Sequence, residues 1–409
     1  MEGPNGAKGG APRRWLQRRD RALVLYVMQL PDFSGAEIVQ LPLLQADSHA
    51  LLACPPGSRV DDLGRSLGIA TVALPFRSLR HSGGLAETIR SVGRGLLSAR
   101  DMRRLLRARP ERTIVYCTQL RPAMVVALAQ VGLRRRSVWV VTDFMPPAPL
   151  RHVVRLLARA TCAAAITHSK AVAEDFAGRS PYLVRRTRVL PPGLDLARFS
   201  PERARPGAPH AAVIGHVSSL KRTDLALDIA ARVAAVEPAF RLDVIGRAQF
   251  RDENVVFERE LHDRVAGDER LRPIVSFRGF VEDVPGELPG YGLVLHCCPV
   301  EGFGMVLVEA MAAGLPVVAA RAGGPIDIVE HGVTGFLYDP GDDEAAAGYV
   351  LTLLRDRTRA ADMGAAARRR AERLYSADEQ VRALEDLLGS VASPRSVGRR
   401  RVPSSCALR

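Results

Sequence analysis

Lysine is nearly missing from this chain. It has three, Lys8, Lys170 and Lys221, so 55 of the 58 basic residues are arginine. Aromatic residues are also scarce, at 5%. No basic motif interleaved with aromatics is present, so the formal net charge of +14 reads as the bias of an Arg- and Ala-rich chain and nucleic acid is not implied. No apolar run reaches eighteen residues. The longest candidates, 122–133 and 153–167, are too short or carry Arg, which argues against a spanning helix. The six cysteines form no CxxC pair. Several sit in apolar, strand-like segments as small hydrophobes, which points to reduced thiols in the cytoplasm. There is no GxGxxG, Walker A run, HExxH or GxSxG. There is also no DxD, the acidic pair that often holds a divalent metal on a nucleotide diphosphate. Neither a metal nor an obligatory cofactor is implied.

What is present is an alternation. At 409 residues, 47% of them hydrophobic, the chain is long enough for two cores. Residues 13–30 place a basic stretch before about nine mostly apolar residues, which reads as a first buried strand and not as a signal peptide. Short apolar runs then alternate with helical patterns, the signature of a parallel sheet covered on both faces. Pro and Gly cluster at 191–195 and 201–209 and mark a join. The expected organisation is a basic tail at 1–20, a first domain at 21–200, and a second at 210–375. A helix at 376–390 packs back on the first domain, and a tail follows at 391–409. The pattern over 85–108 is an Arg-rich helix that suits either a solvated face or an anionic lipid surface.

The richest stretch runs from His296 to Gly341 and reads strand, Gly-containing loop, helix, strand, Gly-Gly turn, helix. Gly302 and Gly304 leave the loop backbone open to a ligand. The helix starts near Met305, so its free N–H groups face the loop, as an anionic ligand requires. Glu301 and Glu309 flank it and can grip hydroxyls. Lys221, expected at the start of a helix after strand 211–216, offers a point charge for a diphosphate, with Arg222 as a second contact. Ser34-Gly35-Ala36 follows the first strand. Asp143 leaves strand 137–142, either as a contact for an acceptor hydroxyl or ammonium or as a turn cap. His168 ends the strand before a helix and suits a capping role.

These residues carry a resemblance. Gly215 to Lys221 with Asp224, Val275 to Phe280, the E-x7-E of Glu301 and Glu309, Gly323-Gly324 through Gly335, and the 190–195 join with Phe199 resemble glycosyltransferase family 4. Its GT-B fold is α/β, with two Rossmann-like domains facing across a cleft. The resemblance implies that Lys221 neutralises the diphosphate of a nucleotide-sugar co-substrate and that Glu309 binds the ribose. It implies that Glu301 and the backbone of Gly302, Phe303 and Gly304 hold the transferred sugar. Met305 and Val306 would lie beside the diphosphate, the backbone near Phe280 at the base, and Gly35 at the other domain's approach. Transfer would retain anomeric configuration, the leaving phosphate taking the acceptor's proton. Three departures stand out. His216 replaces a common Arg, moving part of the phosphate clamp to Ser218 or Arg222. Gly246-Arg247-Ala248 replaces G-D-G. Asp143 stands where a His is frequent and, with Asp32 and Glu37, suits an amine-bearing acceptor. The segment 142–150 is similar to aminocyclitol glycosyltransferases of aminoglycoside antibiotic assembly. That implies a UDP-N-acetylglucosamine donor and a 2-deoxystreptamine-like acceptor. A membrane-associated enzyme with a lipid acceptor and a non-catalytic sugar-nucleotide-binding protein are the alternatives.

Overall fold

A computed structural model of the chain describes residues 16, 21–28, 40–74, 85–133, 135–249 and 252–393. Asp32, Gly35 and Glu37, and most of the two tails, lie outside the described residues. The chain divides into two compact units. One comprises Met1–Val140, Ala148–Ala165 and Val381–Arg409, and the other Val141–Pro147 and Ile166–Gln380.

Thirteen strands are described: β1 Val24–Val27, β2 Leu51–Cys54, β3 Ala70–Ala73, β4 Ile114–Cys117, β5 Arg136–Val141, β6 Cys162–Thr167, β7 Thr187–Val189, β8 His210–Ile214, β9 Arg241–Ile245, β10 Val275–Gly279, β11 Leu293–His296, β12 Val317–Ala320 and β13 Gly335–Tyr338. The helices are α1 Leu41–Ala46, α2 Arg59–Ser66, α3 Leu85–Arg107, α4 Leu120–Ala129, α5 Leu150–Thr161, α6 Lys170–Ala177, α7 Pro181–Arg186, α8 Thr223–Ala234, α9 Asp252–Gly267, α10 Val284–Glu287, α11 Met305–Ala312, α12 Gly324–Ile328, α13 Asp343–Arg355, α14 Arg357–Leu374 and α15 Ala377–Ala392.

The strands form two sheets, ordered β3-β2-β1-β4-β5-β6-β7 and β10-β9-β8-β11-β12-β13. Their registered pairs are parallel. Such strands are covered on both faces and therefore read as unbroken apolar runs. VLYV, IVYC, LVLH and VVAA are buried throughout. In the second sheet, alternation sorts side chains between two cores. Leu293 and Leu295 join α8 and α13 on one face. Val294 joins α11 and α14 on the other. Each fully buried Leu or Val contributes about 2 kcal/mol. Two Rossmann-like α/β halves are thus present, as the alternation predicts.

Two local readings need correction. Lys221 does not open a helix. It ends a 3₁₀ turn over Ser219–Lys221, after which Arg222 takes a left-handed conformation (φ 53°) and α8 begins at Thr223. The turn forms because the Ser218 side chain accepts the Lys221 N–H at 3.3 Å. Helix α7 was not anticipated, although Ser180 as cap followed by Pro181 at the first position is a start signal.

Candidate active site

Strand order reverses between β8 and β11. β9 lies on one side of β8, and β11, three strands later in the sequence, lies on the other. The loops leaving these two strands diverge and open a crevice beyond the sheet's carboxyl edge, where ligands of such folds bind. They are the loops 215–222 and 297–304.

The floor is backbone laced to backbone. Gly215 donates to Ile245 O at 2.9 Å, Val217 to Arg247 O at 3.1 Å, and Gly246 to Gly279 O at 2.7 Å. A Cβ on Gly246 would lie 1.8 Å from the Gly215 carbonyl oxygen, whereas one on Gly215 would meet nothing within 4 Å among the described residues. Gly215 is therefore the glycine whose free side faces the crevice.

The loop after β11 is gripped from both sides. A Cβ on Gly302 would sit 2.5 Å from the Thr142 carbonyl oxygen, one on Gly323 2.1 Å from Glu301 O, and one on Gly324 2.1 Å from Phe303 O. Gly324 N also donates to Glu301 O at 2.9 Å. The space at Gly302 is thus taken by the chain itself, not kept for a ligand. Gly304 stands at the helix cap with φ 104°. Among the described residues no side chain caps α11, so the first-turn N–H groups, at Met305 and Val306, are open to an anion. Phe303 is buried and packs edge-on against His168 and Tyr375. Its side chain anchors the loop, which leaves its backbone for binding.

Across the crevice, Lys221 Nζ lies 2.5 Å from Glu301 Oε2, and His296 Nε2 lies 3.1 Å from the same oxygen. Burial opposes the ammonium charge, but Glu301 outweighs it and raises the Lys221 pKa. Burial works against Glu301 too. The His296 hydrogen bond and the Lys221 charge overturn that and hold its carboxyl well below the usual range. Both ends of the pair stay charged. An ammonium has three donors, and Glu301 takes one, leaving the others for phosphate oxygens. His216 is pushed down by burial and by Lys221, so it is neutral near pH 7. Ser218 is buried with its hydroxyl on Lys221 N. Arg222 is held by Asp224, its Nε 3.1 Å from both carboxylate oxygens.

Glu309, one turn into α11, has no hydrogen-bond partner among the described residues. Burial pushes its carboxyl up to about 7, with Arg198 pulling the other way. Arg198 itself reaches Asp283 at 3.4 Å. Phe280 is 60% exposed, and the Arg247 guanidinium lies 5.5 Å above its ring centroid.

Asp143 is exposed and accepts from Thr142 Oγ1 at 2.9 Å. Its charge acts on both Lys221 and His168. His168 is not the cap of α6, because Ser169 accepts the Val172 N–H instead. The Nδ1 of His168 lies 3.0 Å from Leu190 O, and its buried Nε2 has no partner among the described residues. The unpartnered Nε2 of His168, the His296–Glu301 bond and the Arg198 charge were not anticipated. The only sequence signal was a histidine ending a strand at His168 and at His296.

Lys221, Glu301, Glu309, Asp143 and the α11 N-terminus thus share one region of the second unit. It offers positive charge for a diphosphate, one fixed carboxylate and one protonatable carboxyl. Among the described residues, no group of three His, Cys, Asp or Glu side chains is placed to hold a metal ion.

The family-model match falls on this unit. Residues 198–370 match the family model described as Glycosyl transferases group 1. The chain is 30% identical over 244 residues to sulfoquinovosyl transferase SQD2 of Arabidopsis thaliana, covering 55% of this chain and 44% of that one. It is 37% identical over 188 residues to a D-inositol 3-phosphate glycosyltransferase of Geodermatophilus obscurus, covering 41% and 40%. The matches therefore span less than half the length of these relatives. Among solved structures, Anabaena HepE in complex with UDP superposes with a TM-score of 0.75 at 24% identity, covering 90% of this chain and 100% of that one. Sucrose-phosphate synthase of Thermosynechococcus elongatus gives 0.71 at 16% identity, covering 91% and 99%. These likenesses show the fold, the two-domain GT-B architecture.

Proposed function

We propose that this protein is a glycosyltransferase that moves a sugar from a nucleotide-diphosphate sugar to a hydroxyl of a small polar acceptor, with retention of anomeric configuration. The observation that carries the reading is the Lys221–Glu301 pair, 2.5 Å apart, beside the uncapped start of α11. The group 1 match over the same unit supports it. So does a solved neighbour, Anabaena HepE in complex with UDP-glucose.

The chemistry follows from what each group can do. The diphosphate meets Lys221, the first N–H groups of α11 and the open side of Gly215. Glu309 accepts from the ribose hydroxyls. Glu301, kept ionised, accepts from hydroxyls of the transferred sugar and cannot serve as a proton donor near pH 7. The bond from the anomeric carbon to the phosphate oxygen breaks, and the acceptor oxygen bonds to that carbon on the same face. The acceptor's proton passes to the departing phosphate. Lys221 and the helix N-terminus stabilise the charge that develops there, so catalysis is positioning and electrostatics.

For the finer identity we propose UDP-N-acetylglucosamine as donor and an aminocyclitol such as a 2-deoxystreptamine-like ring, of the kind used in aminoglycoside assembly, as acceptor. An exposed Asp143 beside the donor suits an acceptor ammonium. Five buried cysteines form no disulfide among the described residues, which suits a reducing compartment, and we assign the cytoplasm. The test incubates purified protein with UDP-, GDP- and dTDP-sugars against aminocyclitols, inositol phosphates and lipid acceptors, with products read by mass spectrometry. An α-linked product from an α-linked donor, seen by NMR, supports the reading. Inversion refutes retention, and absence of both transfer and donor hydrolysis assigns a binding protein instead.

A further inference from the structure

Three helices of the first unit lie side by side, α3 against α4 and α4 against α5. Together they carry ten arginines and two acidic residues. Their outer faces are not the solvated polar surface that such composition suggests. Leu96 is 57% exposed, Val131, just past the end of α4, 63%, and Leu156 66%. On α3, Val92, Leu96, Arg100, Arg104 and Arg107 recur at intervals of three and four, so apolar and cationic side chains share one stripe. Val153 and Leu156 do the same beside Arg159 on α5. Arg100, Arg107, Arg121 and Arg159 are exposed and have no ion-pair partner among the described residues. Asp101, the one acidic side chain described on these helices, lies 3.8 Å from Arg104.

We propose that this face docks on the surface of an anionic lipid bilayer. The mixture selects the occupant. A second copy of the chain would bring an equally cationic face and be repelled. A nucleic acid would match the charge but leave Leu96, Val131 and Leu156 against a polar backbone, with no aromatic platform for its bases. At a bilayer surface both needs are met. Leu and Val side chains enter the acyl boundary while arginines reach back to the phosphates. No described helix is long and apolar enough to cross a membrane, so contact would be peripheral. The inference does not depend on the reading of the donor site.

The test sediments the full chain with vesicles of phosphatidylcholine alone or mixed with phosphatidylglycerol. Binding to the mixed vesicles, weakened by salt, is the expected result. Arg100→Glu with Arg107→Glu should lower that affinity at least on the order of tenfold, since each lost arginine removes a lipid-facing charge. Leu96→Asp with Leu156→Asp should lower it comparably. All four positions are exposed, and unchanged thermal unfolding verifies that each variant is folded. Three results overturn the proposal. They are no binding to anionic vesicles, binding that neither variant weakens, and self-association that Leu156→Asp abolishes.

Discussion

Replacing Glu309 with glutamine should separate stability from binding. The residue is half-buried and its carboxyl has no hydrogen-bond partner among the described residues, and desolvation carries it from the ordinary 4.5 to about 7, against the pull of Arg198. Its folded-state pKa is therefore above its unfolded value. As pH rises from about 4.5 to about 7, the unfolded chain releases this proton while the folded chain keeps it, so stability falls across that window. The full displacement corresponds to about 3 kcal/mol, an upper bound for the loss by about pH 8. Glutamine cannot ionise. Glu309→Gln should lack this pH slope and, near pH 8, be more stable than wild type by up to about 3 kcal/mol. Binding should move the other way. Hydroxyls donating to a carboxylate contribute about 1.5–3 kcal/mol, which the neutral amide largely forfeits.

Because a nucleotide sugar favours the ionised form, wild-type affinity at about pH 6 should be roughly tenfold below its plateau near pH 8, while the variant stays flat. UDP-N-acetylglucosamine is the right probe, because both its phosphates are esterified and do not titrate in this range. The assay pairs urea unfolding near pH 5 and pH 8 with calorimetric titration of that ligand. Identical pH slopes of stability in the two proteins, or undiminished affinity in the variant near pH 8, would refute the reasoning.

Two further substitutions probe the loop and the acceptor side. Gly302→Ala should destabilise by about 1–3 kcal/mol, because its Cβ would lie 2.5 Å from the Thr142 carbonyl oxygen and the loop must shift. Thermal unfolding checks it, and an unchanged midpoint would mean that the loop is not held by that contact. Asp143→Asn should raise KM for an amine-bearing acceptor by about tenfold, the worth of one exposed charged hydrogen bond, and leave nucleotide affinity unaltered. Steady-state kinetics with acceptor varied decides, and an equal loss in nucleotide affinity would move Asp143 to the donor side.

Much of the fold was legible because buried parallel strands carry a plain signal. VLYV and VVAA are apolar throughout, and LVLH is apolar up to its last residue, His296. The site was legible where chemistry is local. The start of α11 at Met305 follows from Gly304 and the apolar run after it. What the chain hid was long-range. The partner of Glu301 lies eighty residues away at Lys221, and no spacing rule reports it. The fifth residue before Glu301, His296, is nearby, yet its bond to that carboxylate depends on the turn between them. Glycines misled in a consistent way. Gly302 reads as room for a ligand, whereas tertiary packing fills that room with the Thr142 carbonyl. The left-handed Arg222 could not be read either, since nothing in S-S-L-K-R-T announces a break before α8.

The claim on which the account rests is that the Lys221–Glu301 crevice holds a nucleotide diphosphate. Calorimetric titration of wild type and Lys221→Ala with UDP, GDP, dTDP and their parent nucleosides tests it most directly. At least one diphosphate should bind wild type, and Lys221→Ala should weaken that diphosphate about tenfold or more, as loss of a charge-assisted contact requires. The parent nucleoside should be left unchanged. Absence of binding by all three diphosphates, or equal affinity in the variant, would contradict it.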